Sequence, residues 1–576
     1  MTFLWNFLIR FNKFLNYEIK YSLFFLIINL IILSLLEFIS IGSIPFLVGY
    51  LLDINSLDTF ISKDLSHFFQ NLNKVNFVII FVFGIFFIKS SYLAFVNFYE
   101  LKTIRSLRIY VTNKLFKIYL NESYDFYLKN NHSVLARNLI AETDNCVGLI
   151  QSFIIVLREI FLLLIIFSLL FIFKPLLSFI ILMILILFAV IFYVSTDNIL
   201  KSIASKRISS MGAIFKLIPQ MFSLIKEIKI LNKENFFLKK FFKVKKEYEY
   251  QIQKVDFIRR LPKIFFELIA VGLFLFLLII FELDNKEKFI QTLPFFSLVV
   301  VSTIKLIPSF NAISGALTHI QSYYNSFNLI YGQVNDHEKV QINKIFDQNQ
   351  TDKIISTNNL NFKFEEKHEA LSLKNINLNI NKGDMIGIIG KSGSGKTTLI
   401  NILLGLLKPT NGEVIYYANP NTFNIGHVPQ DIVIFDDTLQ NNIALGVESE
   451  SIDKNKICEV IKFSGLHNFF EKNNSNLNMQ IGDKGINISG GERQRIGIAR
   501  ALYFNPDIII LDEATSSLDV VTEKYIIDEL LSIKRKVTAI FISHRMSALK
   551  NCDKIFVIEN GEVKASGKLK DVQDLI

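Results

Sequence analysis

The chain has 576 residues, a formal net charge of +10 and a hydrophobic content of 51%, with 56 phenylalanines. A chain of this length has room for several domains. The apolar residues are concentrated before about residue 320. They form blocks long enough for a membrane-spanning helix, which needs roughly 20 residues. This composition excludes a purely soluble protein.

Six apolar blocks predict six membrane-spanning helices. They lie at residues 21–52, 75–98, 147–173, 175–195, 264–283 and 290–316. Only Lys174 separates the third block from the fourth, so these two are predicted to form a tight helical hairpin.

The distribution of Lys and Arg orients these spans, because cytoplasmic connections carry the excess of positive charge. Basic residues are dense in the second connection, from Lys102 to Arg137, and in the fourth, from Lys201 to Arg260. Both long connections and both termini are therefore predicted to be cytoplasmic, in a multi-pass protein of the inner (plasma) membrane. Nucleic-acid binding is the competing interpretation of the charge, and the position of the charge beside membrane spans disfavours it.

The two long connections show apolar and charged residues at helical spacing, as in "IRSLRIYVTNKLFKIYL". Gly and Pro are sparse there, which favours membrane helices that continue into the cytosol over a separate cytosolic subdomain. Residues 1–335 are thus predicted to form an all-α membrane domain, followed by a polar linker at 336–353. From 354 to 576, short β-type runs alternate with helical stretches, which predicts an α/β domain with a largely parallel sheet.

The stretch "GKSGSGKTTL" at residues 390–399 is typical of a phosphate-binding loop. Gly390, Gly395, Lys396 and Thr397 fit G-x-x-x-x-G-K-[ST], between a predicted buried strand at 384–390 and a predicted helix. The glycines let backbone N–H groups turn towards phosphate oxygens. Lys396 supplies a positive charge for the β- and γ-phosphates, and Thr397 offers its hydroxyl to Mg²⁺.

A second strand, in "DIIILDEATSSLD" at residues 507–519, ends in two acids. A carboxylate at the end of such a strand holds the Mg²⁺ shell, which is the role predicted for Asp512. Glu513 is then placed to orient or deprotonate an attacking water. Two ordinary surface acids are the alternative, which the phosphate loop upstream disfavours.

Between these motifs, "NISGGERQRIGIARAL" at residues 487–502 predicts an amphipathic helix that two glycines open. Free N–H groups at a helix start bind phosphate well. The first loop is already predicted to surround the triphosphate within one chain. A second phosphate-binding helix start is therefore expected to face a nucleotide that is bound to another copy of the chain.

Together these motifs resemble the ABC transporters, in particular the exporter half-transporters, and the resemblance covers essentially the whole chain. It implies a six-helix exporter-type membrane domain followed by an α/β P-loop nucleotide-binding domain that uses ATP and Mg²⁺. The resemblance implies that Phe364 stacks on adenine and that Thr397, Gln430 and Asp512 contact Mg²⁺. The implied residues of the Walker A loop are Gly390, Lys391, Ser392, Gly393, Ser394, Gly395, Lys396, Thr397 and Thr398. The remaining implied positions are the signature residues Ser489, Gly490, Gly491 and Glu492, the catalytic base Glu513, Asp519 of the D-loop and the switch histidine His544.

The sequence departs from the family pattern at three positions. Phe364 replaces the commoner Tyr, Ile488 replaces Leu, and Glu492 replaces Gln. None of these changes touches a catalytic group, so the resemblance implies true ATP hydrolysis. It also implies a dimer that holds two ATPs between its ATPase domains, here a homodimer, with a heterodimer of similar chains as the alternative.

Ionisable residues inside membrane spans are candidate functional sites. Lys89 and Lys305 lie within spans, and Lys263 lies at the cytoplasmic start of the fifth. Either they meet an anionic cargo, or they pair with acids or reach an interface. For Arg158 and Glu159 pairing is favoured.

The stretches at residues 261–272 and 307–334 resemble PglK-type flippases, which export lipid-linked oligosaccharides. The resemblance implies that Lys89, Lys263 and Lys305 meet the pyrophosphate of such a lipid, and that residues 56–69 form a small helix on the lipid surface. The predicted function is therefore an ATP-driven flippase for a lipid-linked, pyrophosphate-bearing oligosaccharide. The alternatives are an exporter of another lipid, peptide or drug, and a non-transporting ABC protein that regulates a membrane partner, which intact Glu513 and His544 disfavour.

Overall fold

The computed structural model describes residues 10–11, 13–52, 74–280, 286–335, 344–348, 352–364, 372–482, 488–514, 520–532, 536–543 and 545–573. The chain divides into two compact units, one with Met1–Glu122 and Tyr127–Lys339, the other with Ser123–Phe126 and Val340–Ile576. The predicted surface helix at 56–69 lies outside the described residues.

The first unit is helical in its described residues, and six of its helices have 31 to 50 residues. In chain order, the helices are α1 Tyr17–Leu51, α2 Lys74–Leu120, α3 Tyr124–Lys129, α4 His132–Arg137, α5 Thr143–Phe173, α6 Pro175–Ser223, α7 Ile225–Ile230, α8 Glu234–Ile280 and α9 Lys286–Asn335.

Among the described residues, four helical stretches are long and apolar enough to cross a membrane: Tyr17–Leu51, Val78–Leu120, His132–Phe173 and Leu293–Asn335. Large apolar side chains such as Phe83 and Phe87 on α2 face outwards, at 71% and 65% exposure. A helix that is apolar all round belongs in a membrane or a large core. The other two predicted spans lie in α6 and α8, which agrees with six long helices.

The predicted helical hairpin is confirmed, and the long helices continue beyond their apolar blocks as predicted. α5 ends at Phe173 and α6 begins at Pro175, with only Lys174 between them. α2 continues without a break through its basic part to Leu120. α6 and α8 likewise run far beyond their apolar blocks, and the short helix α7 lies between them. No separate subdomain is inserted in these described connections.

The core of this unit forms where α1, α5 and α9 meet. Ile41, Ile166, Leu170 and Leu298 are buried there together. Nearer the C-terminal end of α9, a π-helical turn at Asn138–Glu142 separates α4 from α5. Such turns are rare and often lie at functional positions.

The second unit contains an α/β domain, as the sequence predicts. Its described strands are β1 Ile345–Phe346, β2 Lys353–Phe362, β3 Leu373–Asn381, β4 Met385–Ile389, β5 Asn411–Tyr416, β6 Ile425–Val428, β7 Asp437–Thr438, β8 Gln480–Ile481, β9 Ile508–Asp512, β10 Thr538–Ile542, β11 Lys554–Glu559 and β12 Glu562–Gly567. Its described helices are α10 Lys396–Leu403, α11 Leu439–Ile443, α12 Lys454–Phe463, α13 His467–Lys472, α14 Gly490–Tyr503, α15 Val520–Ser532, α16 Met546–Leu549 and α17 Leu569–Val572. The strand β1 lies within the predicted linker and pairs with β5.

The main sheet has the strand order β12-β11-β4-β10-β9-β6. All neighbours pair in parallel except β11 with β12. β4 is buried throughout, and its residues alternate between the two faces of the sheet. Met385 and Ile389 belong to the core that includes α14, whereas Ile386 and Ile388 belong to the core that includes α10.

A second sheet, in the order β1-β5-β2-β3, packs its apolar residues into the α10 side of this core. The phosphate loop therefore lies where a fully buried strand meets a helix that packs against the same sheet.

Candidate nucleotide-binding and membrane sites

The predicted nucleotide-binding residues gather because the strands that precede them are parallel neighbours. β4 leads to Gly390, β9 ends at Asp512, and β6 is followed two residues later by Gln430. Carboxyl ends of parallel strands meet at one edge of a sheet, where ligands of open α/β folds bind. His544 and Asp519, which the sequence also predicts at this site, lie outside the described residues.

The phosphate loop depends on its glycines. A Cβ on Gly390 would lie 2.2 Å from the carbonyl oxygen of Ile558, which no side chain tolerates. Gly393 and Gly395 have φ values of 80° and 104°, in the left-handed region that favours glycine. A substitution at any of these positions would displace the backbone that is predicted to hold phosphate.

Lys396 lies at the start of α10, with its ammonium turned back over the loop. Its Nζ donates to the carbonyl oxygens of Gly390 at 2.5 Å and Lys391 at 3.0 Å. Burial lowers the pKa of Lys396, while the nearby carboxylates of Glu513 and Asp512 raise it. The ammonium therefore lies among the groups that are predicted to surround a bound phosphate.

The loop also holds a buried hydroxyl with no acceptor or donor. Ser394 is 6% exposed and its Oγ has no hydrogen-bond partner. The first N–H groups of a helix such as α10 likewise have no intrahelical acceptor. Unpaired donors around glycine backbone fit a phosphate chain, so the residues present suit the triphosphate of ATP. Lys391, Ser392 and Thr397 are exposed around this loop, and Thr398 is half-buried.

The end of β9 brings two acids and an amide together. Gln430 Nε2 donates to Glu513 Oε2 at 2.8 Å. Glu513 has a φ of 48°, unusual for a residue with a side chain, and its N–H donates to Ile542 O at 3.0 Å. Burial and the charge of Glu513 raise the pKa of Asp512, whereas Lys396 lowers it. Strained backbone at a predicted catalytic acid is consistent with a functional constraint.

The predicted Mg²⁺ ligands have the right chemistry. Among the described residues, no three His, Cys, Asp or Glu side chains gather as a metal site. Thr397, Gln430 and Asp512 instead offer a hydroxyl, an amide and a carboxylate. Mg²⁺ prefers such oxygen ligands and usually takes others from substrate phosphates and water. The set fits Mg²⁺ that arrives with ATP.

The signature helix α14 begins with a free, outward-facing end. Ser489 is its N-cap, and a capping box joins the Ser489 hydroxyl to Glu492 N and the Glu492 carboxylate to Ser489 N at 2.8 Å. Ser489 and Gly490 are exposed, and Gly491 is half-buried, while Ile496 and Ile498 lie in the core. The core thus fixes the helix and leaves its start open to a ligand. Phe364, the predicted adenine contact, lies edge-on to Phe362 at 4.8 Å.

In the membrane unit, two of the three predicted substrate lysines share one acid. Lys89 Nζ lies 2.7 Å and Lys305 Nζ 3.4 Å from Glu37 Oε1. Lys89 and Glu37 are buried, and the side chain of Lys305 is 33% exposed. Lys263 lies on α8, and its side chain is outside the described residues. We call the three joined residues the Glu37 cluster.

The predicted pairing of Arg158 with Glu159 is confirmed, at 3.1 Å. Arg158 also donates to Glu100 on α2 at 3.3 Å. Glu100 was not singled out from the sequence, because only the packing of α2 against α5 brings it to this arginine.

Two further positioning residues have no motif that marks them. Arg500, on the last turn of α14, donates to the carbonyl oxygens of Asn442 at 2.8 Å and Val433 at 3.2 Å. It thereby ties the segment after Gln430 to the signature helix. Arg545, next to His544, donates to Glu523 at 3.0 Å. The one feature of the sequence that could have indicated Arg500 and Arg545 is that both are basic residues close to a predicted motif.

Comparisons with known proteins agree with this geometry. Residues 373–516 match the family profile described as "ABC transporter", and residues 24–281 match the one described as "ABC transporter transmembrane region". A solved structure of a bacterial Atm1-family ABC exporter with ATP bound superposes with a TM-score of 0.78 at 19% identity, over 96% of each chain. At this identity the likeness shows the fold.

Curated relatives match a smaller part of the chain. The leukotoxin translocation ATP-binding protein LktB of Mannheimia glucosida is 40% identical over 222 residues, which are 37% of this chain and 31% of LktB. The alpha-hemolysin translocation ATP-binding protein HlyB of Proteus vulgaris is 39% identical over 226 residues, 38% of this chain and 32% of HlyB. The chain thus spans under a third of the length of these relatives.

Proposed function

Because the chain belongs to the ABC transporters, as a half-transporter in which one membrane region precedes one ATPase domain, we propose that two copies form an ATP-driven exporter. One observation carries the pairing. A single domain holds both the glycine loop before α10 and the exposed start of α14, and each is predicted to bind phosphate. Two copies give each ATP one loop and one signature helix. The site residues of both halves are intact, which supports a homodimer of the inner membrane.

Hydrolysis follows from the groups at the edge of the sheet. Water adds to the γ-phosphorus of ATP, the bond to the β–γ bridging oxygen breaks, and ADP and phosphate leave. Glu513 accepts the proton of this water, and Gln430, which donates to Glu513 Oε2 at 2.8 Å, fixes the orientation of the carboxylate. Thr397, Gln430 and Asp512 would hold Mg²⁺, which would neutralise charge on the phosphates when bound. Lys396 and the loop N–H groups hold the β- and γ-phosphates.

For the cargo, we favour a lipid-linked anion with a pyrophosphate group, such as a lipid-linked oligosaccharide. The Glu37 cluster supports this choice. It contains two ammonium groups and one carboxylate, so it carries a net positive charge within apolar helices. The ammonium of Lys305, on a side chain that is a third exposed, remains open to an anion. An intramembrane charge of this kind is a candidate cargo contact.

A second candidate cargo is a protein, because the similar LktB and HlyB are named for toxin translocation. The matched 222 to 226 residues are fewer than the 258 of the matched transmembrane region at 24–281. The similarity therefore cannot extend over the whole transmembrane region, and the named toxin cargo of these relatives carries less weight here than the contacts of the Glu37 cluster. A non-transporting regulator is the alternative from another class.

The test uses purified full-length protein in liposomes. We would measure ATP-dependent movement of a fluorescent polyprenyl-pyrophosphate glycan between leaflets, for wild type, Glu513→Gln, Lys305→Met and the control Lys102→Met, an exposed lysine on α2. We expect flipping in wild type and Lys102→Met, none in Glu513→Gln, and less in Lys305→Met.

The outcomes distinguish the proposed cargo from the proposed mechanism of ATP hydrolysis. ATP hydrolysis without glycolipid flipping would reject the glycolipid cargo and leave an exporter of another lipid, peptide or drug to be tested. Hydrolysis that Glu513→Gln leaves unchanged would reject the mechanism. Hydrolysis without transport of any of these cargoes would favour the non-transporting regulator.

A further inference from the structure

A cavity of about 340 Å³ lies within the membrane unit, between α5, α6, α8 and α9. Pockets for small ligands have volumes from about 300 Å³ upwards, and they combine apolar walls with a few polar groups. Here Ile208 and Val255 contribute apolar surface, and Arg207, His319 and Tyr323 contribute polar and aromatic surface. This cavity is separate from the Glu37 cluster, because His319 lies about 21 Å beyond Lys305 along α9 at about 1.5 Å per residue.

The wall holds a hydrogen-bond donor with no acceptor. Arg259 Nη1 lies 3.3 Å from His319 Nε2. A guanidinium only donates, so Nε2 must accept, and in the neutral ring the proton then lies on Nδ1. His319 Nδ1 is buried and has no partner. A buried N–H without an acceptor is destabilising, so this position favours a ligand that accepts a hydrogen bond.

The charged side chains of the cavity wall leave one positive charge unpaired, which also favours a ligand that is an anion. Each carboxylate that lines the cavity already faces an arginine. The pairs are Glu142 with Arg137 at 3.6 Å, Asp144 with Arg108 at 2.9 Å and Asp256 with Arg259 at 3.3 Å.

Arg207 is the exception. Among the described residues it faces no carboxylate within 4.0 Å, and its guanidinium donates to Ser322 O at 3.4 Å. It lies 4.9 Å from the centre of the Tyr323 ring, and this ring also stacks on His319 at 5.1 Å. The Tyr323 ring therefore contacts both the unbalanced cation and the histidine that carries the unpaired donor.

We infer that this cavity binds a phosphoryl oxyanion, with Arg207 as its cation and His319 Nδ1–H as its second donor. Guanidinium groups favour phosphate because two of their N–H groups match its oxygens. The donors lie on different helices, α6 and α9, and a tetrahedral phosphoryl group presents oxygens to both. The oxyanion is either the head group of a lipid or free in solution. The inference does not rest on the proposed cargo.

The test measures binding to the purified full-length chain by calorimetry, without turnover. All proteins carry Lys396→Ala, so that the phosphate loop does not compete for the probes. The probes are farnesyl pyrophosphate, inorganic pyrophosphate and uncharged farnesol. Arg207→Gln is compared with Lys206→Gln, which removes the same charge from the neighbouring, exposed position of α6.

We expect Arg207→Gln to weaken binding of farnesyl pyrophosphate at least tenfold and Lys206→Gln to leave it unchanged. An equal loss for inorganic pyrophosphate identifies a free oxyanion as sufficient, and binding of farnesyl pyrophosphate alone identifies a lipid head group. Equal affinities for Arg207→Gln and Lys206→Gln would overturn the inference. So would farnesol binding as tightly as farnesyl pyrophosphate.

Two further variants keep the test decisive. His319→Phe preserves the aromatic stack and removes the donor, so we expect about a tenfold loss. If Arg207→Gln does not fold, an unchanged affinity of His319→Phe overturns the inference. Lys305→Met reports on the Glu37 cluster. If Lys305→Met abolishes binding and His319→Phe does not, the probe binds at the Glu37 cluster and the cavity site is rejected.

Discussion

The phosphate loop and the Glu37 cluster both place positive charge where an anion is expected, but they are built in different ways. The groups of the loop lie within nine consecutive residues, from Gly390 to Thr398, and glycine backbone shapes them. The Glu37 cluster joins residues on α1, α2 and α9, and Lys305 is 268 positions from Glu37. A contiguous site is fixed by local geometry, whereas a dispersed site exists only once helices pack.

The two regions also differ in what a lost residue does. In the loop, Lys391, Ser392 and Thr397 are exposed, so substituting one of these side chains is expected to affect catalysis more than stability. In the Glu37 cluster, Lys89 and Glu37 are buried, so removing a partner leaves an uncompensated charge in an apolar surrounding. Four substitutions compare the ATPase unit, which contains the loop, with the Glu37 cluster.

The largest effect is expected at Glu513. Glu513→Gln removes the proton acceptor and keeps the shape of the side chain, so ATP hydrolysis by the full-length protein should fall by about 10²- to 10⁴-fold. Thermal stability should stay close to wild type. Glu471→Gln, at an exposed position of α13, is the control and should hydrolyse ATP normally. A Glu513→Gln protein with normal turnover would exclude Glu513 as the base.

Glu37→Gln should show the opposite pattern. Two lysines then share a buried position without a carboxylate, and breaking a buried pair costs about 3–5 kcal/mol. The free energy of unfolding in detergent should fall by that amount, while Glu18→Gln, on the exposed first turn of α1, should cost less than about 1 kcal/mol. Adding Lys89→Gln to Glu37→Gln should recover part of the loss. A fully stable Glu37→Gln protein would contradict the pairing of these charges.

Arg500→Lys tests a dispersed contact inside the ATPase unit. A lysine cannot make the separate bonds that the guanidinium makes to Asn442 O and Val433 O. Unfolding of this unit should become easier by about 1–3 kcal/mol, as measured by denaturant titration. Arg493→Lys, on the exposed side of α14, is the matched control. Equal stability of the two variants would show that Arg500 does not hold this segment.

The smallest effect is expected for Asp512→Asn in the nucleotide-free protein. Burial raises the pKa of Asp512 in the folded state, so the folded protein binds the proton more tightly than the unfolded chain. The stability of wild type should therefore fall as pH rises from about 4, the unfolded pKa, through the folded pKa. Asp512→Asn should lose this fall and melt slightly higher near neutral pH. Identical melting curves at all pH values would contradict a raised pKa.

The sequence predicts the phosphate loop well because each of its determinants is local. A buried run ending in glycine, followed by Lys396 and a helix, has few other ways to fold. The six long helices are predictable for a similar reason. Within a membrane, the backbone N–H and C=O groups of an apolar segment must form hydrogen bonds within the segment, and an α-helix achieves this. Lys174 between two apolar blocks indicates the hairpin of α5 and α6 directly.

The sequence left open what the membrane charges contact. Pairing and cargo binding were both consistent with Lys89 and Lys305, because the sequence of one helix does not specify how that helix is rotated against its neighbours. The pairing of Arg158 with Glu159 was predictable because the two are neighbours in the chain. Its second partner, Glu100, was not, because 58 positions separate them.

The sequence by itself therefore determined the fold class, the order of the two domains and the residues of the glycine loop that is predicted to hold phosphate, because these follow from short-range geometry and from apolar length. Only the tertiary structure decided that one acid holds two lysines, that Gln430 reaches Glu513, and that Arg207 and His319 share a cavity. Those contacts arise when helices and strands pack side by side, and side-chain burial then fixes which charges are paired and which stay open to a ligand.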